Sequence, residues 1–164
     1  MYLDTSVLVK LLVREWDTEF WGRVVDGHPL CSSWLASTEV LSALLAQERS
    51  GQLDSGRRAA AWDRFGEFQR NQSLELVSPS EVILRRAGRL IERVHPLVPL
   101  RTLDAMHLAT ADQRQDWPLV TNDRRMRDAA RLLGYPITDE PAPALIAAPA
   151  VASPGLRSSP RRSK

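Results

Sequence analysis

The sequence predicts an α/β domain with a mainly parallel central sheet. Two patterns carry the prediction. Short apolar runs read as buried strands, and segments with apolar residues at helical spacing alternate with them. A third observation sets the scale: at 164 residues and 43% hydrophobic, the chain can build one domain around its own core.

Taken in order, residues 1–4 (MYLD) form a short strand, and Thr5 or Ser6 can cap a helix running to about Val13. WDTEFWGRVVDG reads as a second helix, with Trp16, Phe20 and Trp21 on or near one side. Residues 29–33 are the second strand. Ser33 leads into WLASTEVLSALLAQERSG, a helix stopped at Gly51. DSGRRAAAWDRFGEFQRN carries Trp62, Phe65 and Phe68 at helical spacing. LELVS is the third strand, and PSEVILRRAGRLIERVH is a helix with Pro79 suited to its first turn. A helix occupies about 102–115. PLVTN is the fourth strand, DRRMRDAARLLG a helix stopped by Gly134, and YPIT a candidate fifth strand. Residues 1–139 form this domain. Residues 140–164, rich in Pro, Ala and Ser and lacking amphipathic period, read as a disordered basic tail.

No apolar run approaches the ~20 residues that span a bilayer. Nor does a basic segment followed by an apolar one mark the N-terminus for secretion. The lone cysteine, Cys31, cannot form an internal disulfide and reads as a buried thiol, in keeping with a reducing cytoplasm. The net charge of +2 is unevenly spread. Every acid lies at or before Glu140, so the first 140 residues hold 18 basic and 20 acidic groups, a net of −2. The basic isoelectric point belongs to the tail, and charge alone is no argument that the folded part binds nucleic acid.

Ligand sites in parallel sheets form outside the carboxyl ends of the strands. Asp4 and Asp123 stand at two such ends. Each also suits a helix N-cap. Glu39 lies inside a helix, with Leu35, Ala36, Ser42 and Ala43 three and four residues away and no basic group among them. It either points outward to solvent or is a buried carboxylate in need of a partner. Thr102 can cap the helix carrying Asp104, which places that acid in the first turn, where dipole stabilisation is a sufficient plain role. His107, one turn on, is either a ligand or acid–base group or, the reading favoured because no Cys or second His stands at zinc spacing, a surface or packing residue. Together the four acids come from separate βα units. If they converge, two carboxylates ~4 Å apart repel by roughly 4 kcal/mol at an effective dielectric of 20. Protonation or a divalent cation relieves that, and an all-oxygen set favours Mg²⁺ or Mn²⁺ over zinc. Ser6 and Thr121 add hydroxyls beside the strand-end acids, for capping or for holding a ligand, water or phosphate oxygen.

At this point LDTSVLVKLL, STEVLSALL, LRTLDAMHLATA and VTNDRRM, in this order, resemble the PIN-domain ribonucleases, specifically the VapC toxins of bacterial toxin–antitoxin pairs. The likeness spans roughly residues 1–138. It implies a three-layer α/β/α PIN-like domain. It places Asp4, Glu39, Asp104 and Asp123 on the family's acidic positions and Thr5, Ser6 and Thr121 on its hydroxyl positions. It implies an endoribonuclease dependent on Mg²⁺ or Mn²⁺, held inactive by a VapB-like antitoxin and often a homodimer. Asp4, Asp104 and Asp123 are then the main metal shell, and Glu39 a further ligand or the group that orients the attacking water.

Basic groups must rim an acidic site that takes RNA. Arg85, Arg86, Arg89 and Arg93 on one helix, with Arg124 and Arg125, are candidates for that rim or for a solvated surface. Trp16, Phe20 and Trp21 are either core or an apolar groove for an antitoxin helix. A haloacid-dehalogenase-like phosphatase would need an acid where Ser6 stands, and a receiver domain would need a late lysine that the domain lacks. The remaining alternatives are an RNA-processing PIN nuclease without antitoxin and a non-catalytic RNA- or protein-binding module.

Overall fold

Neighbouring side chains on a strand point to opposite faces of a sheet. In the computed structural model, which describes residues 1–141, strand β1 (Tyr2–Leu3) is buried on both. Tyr2 enters one apolar cluster and Leu3 the other. Strand β4 (Leu119–Val120) divides in the same way. Strands β2 (Leu30–Ser33) and β3 (Leu74–Val77) complete a four-stranded sheet of order β3-β2-β1-β4, parallel throughout. The anticipated tail lies outside the described residues from 142 onward.

Among the described residues, seven helices connect the strands and cover both faces. Helices α1 (Thr5–Leu12), α2 (Thr18–Val25), α3 (Leu35–Arg49) and α4 (Ser55–Arg70) build the cluster around Leu3. Helices α5 (Glu81–Val94), α6 (Thr102–Arg114) and α7 (Arg124–Leu133) build the one around Tyr2. The α5 stripe of Ile83, Ala87, Leu90 and Val94 recurs at helical spacing and is buried, while its arginines face outward. The result is the three-layer α/β/α arrangement that the resemblance implied. Among the described residues, no helix is long and apolar enough to cross a membrane.

Four local expectations need correction. Asp4, not Thr5 or Ser6, is the N-cap of α1, because its extended backbone leaves β1 and its carboxylate accepts the Ser6 amide. Thr102 is the first residue of α6 rather than its cap; Arg101 precedes it and makes no side-chain cap bond. Pro79 stands before the cap Ser80, whose hydroxyl accepts the Ile83 amide. YPIT forms no strand beyond a single bridge, Ile137 with Leu119. Only Ile137 finds a ladder partner there, at the outer edge of β4.

The aromatic group near the N-terminus also resolves. Trp21 is fully buried, and its indole N–H donates to Asp17, which is also buried and paired with Lys10 at 2.9 Å. It is core, not a groove. Phe20 packs edge-on against it, half-buried, while Trp16 is 65% exposed.

Candidate active site

The strand register brings the first two acids together. Leu3 stands opposite Val120, so the next residues, Asp4 and Thr121, emerge side by side at the carboxyl edge of the sheet. The Asp4 amide donates to the Val120 carbonyl at 3.0 Å, which holds them there. The buried Thr121 hydroxyl then donates to Asp4 Oδ2 at 2.9 Å and accepts the Asp123 amide at 3.0 Å. Ser6 repeats the device. Its hydroxyl donates to the same Asp4 oxygen at 2.6 Å and accepts the Asn122 amide at 3.0 Å. Two hydroxyls thus tie the end of β1 to the 121–123 loop. Arg127, buried in α7, secures the far side of that loop by donating to the Thr121 and Thr138 carbonyls at 2.9 and 2.7 Å. Asp123 Oδ1 caps α7 through the Met126 amide.

Glu39 finds the partners its own helix lacks. Thr5, next to Asp4, donates its hydroxyl to Glu39 Oε2 at 2.6 Å. Nε2 of His107 lies 2.7 Å from the same oxygen, and the other ring nitrogen, Nδ1, lies 2.7 Å from the Tyr2 hydroxyl. His107 is only 1% exposed, so the surface reading of this residue fails and the packing reading holds with a polar role added. Because α6 carries both His107 and Asp104, this chain of bonds brings Asp104 to the same edge, one turn away.

Electrostatics reports the same convergence. Burial raises the Asp104 carboxyl pKa above the ordinary range, and the charges of Asp123 and Asp4 push it further up. Asp104 Oδ2 is buried without a hydrogen-bond partner; Arg125 Nη1, likewise unpartnered, stands 3.9 Å away. Burial works to lower the His107 pKa, but the Glu39 hydrogen bond and the charges of Asp4, Glu39 and Asp104 outweigh it, and the net direction is up. For Glu39 burial works upward, and the bonds from His107 and Thr5 turn the net shift downward.

The free acceptors are distributed in one sense. All the side-chain bonds of Asp4 fall on Oδ2, that of Asp123 on Oδ1, and both of Glu39 on Oε2. Each carboxylate keeps its second oxygen available. Among the described residues, no three acidic, histidine or cysteine side chains close into a ready-made coordination sphere. A hard cation that retains waters and adds substrate phosphate oxygens does not need one.

The arginine candidates separate. Arg125 reaches the acids, while Arg85 pairs with Glu81 within its own helix. Arg86 is committed to Asp112, eight residues along α6 from Asp104 and so roughly 12 Å away at helical rise. Arg124 stands 3.9 Å from Asp128 and is largely exposed.

The PIN domain family model matches residues 1–132. The chain belongs to the PIN-domain family. Ribonuclease VapC46 of Mycobacterium tuberculosis is 40% identical over 140 residues, covering 84% of this chain and 95% of that protein, which places the chain among the VapC ribonucleases. Ribonuclease VapC47 of the same species is 29% identical over 141 residues, covering 82% and 93%. A toxin–antitoxin complex from Klebsiella pneumoniae has the same fold at a TM-score of 0.50 and 18% identity, covering 74% of this chain and 85% of that one. PIN-domain nucleases generally depend on divalent metals.

Tyr2 was not among the sequence candidates, and Arg127 drew no attention. The signal available for the Tyr2–His107–Glu39 chain was Glu39 itself: an acid on a helix with no local partner asks for a distant one.

Proposed function

We propose that this ribonuclease cuts RNA phosphodiester bonds with Mg²⁺ or Mn²⁺ held by Asp4, Asp104 and Asp123, with Glu39 beside them. The single observation that supports the reading most is Asp104 Oδ2, a buried carboxylate oxygen without a hydrogen-bond partner among like charges. A hard divalent cation supplies what that oxygen lacks, and when bound it acidifies and positions water for attack on phosphorus.

The residues divide the remaining work. Ser6 and Thr121 hold Asp4 by one oxygen and leave the other free. Glu39 is positioned to accept a proton or hydrogen bond from the attacking water through its free oxygen. Arg125 is the cationic group placed to receive a substrate phosphate oxygen. The nuclease serves as the toxin of a toxin–antitoxin pair in the cytoplasm, restrained by a VapB-like antitoxin. Trp16, exposed beside a cleft of about 530 Å³ that Leu11, Arg14 and Arg64 also line, supports an antitoxin helix docking there. The exposed aliphatic side chains Val82, Leu84 and Leu97 supply apolar surface for a homodimer.

Asp4→Asn tests the proposal. Asn is as good an N-cap as Asp, so the fold should persist. The expected result is Mn²⁺-dependent RNA cleavage and growth arrest on induction for the wild type, and neither for the variant. Cleavage by Asp4→Asn at the wild-type rate, or equal wild-type cleavage in excess chelator, would overturn it.

A further inference from the structure

We infer that His107 is a positioning residue of the nuclease site, tying one oxygen of Glu39 so that the other is left free for the reaction. The inference rests on the ribonuclease reading above and deepens it. A glutamate on a helix surface samples many rotamers, and a group that must orient a water cannot be left to do so. Here Oε2 receives two bonds of 2.6 and 2.7 Å, from Thr5 and His107. No bond falls on Oε1. The carboxylate is therefore held through one oxygen, on a side chain that is 24% exposed.

The imidazole is itself fixed. It is almost wholly buried, and Tyr2, fully buried on β1, occupies Nδ1 at 2.7 Å. The two rings also meet edge-to-face, with centroids 5.9 Å apart. Facing a carboxylate oxygen, Nε2 must carry a hydrogen whether the ring is neutral or charged, since two acceptors cannot share a bond. Tyr2, His107 and Glu39 thus form a line of bonds from the sheet interior to the acidic edge. Thr5, adjacent to Asp4, closes it from the other side. The arrangement couples the position of Glu39 to the strand that carries Asp4, so both acids keep one relative geometry. Packing alone would not require this: an aliphatic side chain of similar volume would fill the same space without touching the carboxylate.

The test is a double-mutant cycle on cleavage of a defined single-stranded RNA that the wild type cuts, with an excess of Mn²⁺. His107→Leu is expected to lower kcat about 10–100-fold, the range for groups that orient a metal-site ligand, with KM changed less than about two-fold. His107→Gln, whose amide can still donate toward Glu39, is expected to recover most of the loss. In a Glu39→Ala background, His107→Leu should cost less than about two-fold, since its target is already gone. A structural role predicts the reverse: equal loss for Leu and Gln, and the same factor in both backgrounds, which would overturn the proposal. Without added cation, ¹H–¹⁵N spectra should show His107 Nε2–H as a slowly exchanging imidazole proton, lost in Glu39→Ala; its absence from the wild type would also overturn it. Wild-type protein that cuts no RNA would instead bring down the ribonuclease reading, and this inference with it.

Discussion

Thr121→Val isolates the joint between the two strand-end acids. Valine keeps the branched shape in a fully buried position, so packing is nearly conserved. What disappears is one hydroxyl with two bonds. The bond donated to Asp4 Oδ2 at 2.9 Å is charge-assisted and worth about 1.5–3 kcal/mol. The Asp123 amide, 3.0 Å away, loses its acceptor in a partly buried setting, at the low end of the ~1–3 kcal/mol range. The avoided burial of a hydroxyl offsets part of this, leaving a net of about 2–3 kcal/mol. For the 141 described residues, an unfolding entropy of about 2.1 cal/mol/K per residue gives about 0.30 kcal/mol/K, so Tm should fall by about 7–10 °C. Calorimetry in chelator reads this directly. Thr121→Ser, which keeps the hydroxyl, should recover most of the loss. A Tm for Thr121→Val within about 2 °C of wild type would refute the joint. Equal losses for Val and Ser would assign the effect to packing instead.

Three further outcomes are expected. Burial pushes the Cys31 thiol up to about 12, so it stays protonated at pH 8; thiol reagents should label it only when the protein opens, and rapid labelling of the native state would contradict its burial. Asp17→Ala removes a buried partner of both Lys10 and Trp21; because Glu15 still holds the ammonium at 2.7 Å, urea unfolding should show a loss near 3 kcal/mol, the lower end for a broken buried pair. Trp16→Asp should leave Tm nearly unchanged and weaken antitoxin binding, whereas Trp21→Asp should prevent folding; loss of fold in both would return Trp16 to the core.

Much of the architecture was legible because its signals are local. The α5 stripe, the stop at Gly51 and the apolar strands each depend on neighbours a few residues away. Gly51 and Gly134 end their helices with positive φ, a conformation glycine adopts without strain. Caps were less legible. Asp4, Thr5 and Ser6 are all capping residues, and the choice among them was made where the backbone leaves β1, a point set by pairing with strands far along the chain. The same is true of Trp21, whose burial depends on an ion pair that its own helix does not contain.

By itself, the sequence determined the alternation of strand and helix and the chemical kind of four acids, two of them at strand ends and two on helices. Hydrophobic periodicity and the order of short motifs carry that much. Only the tertiary structure decided which oxygen of each acid is tied and which is left free, and that His107 serves Glu39 rather than the surface. Those outcomes belong to hydrogen bonds between residues far apart in the chain. Their geometry exists only after parallel strands set Asp4 beside Thr121 and bring Glu39 within reach of His107.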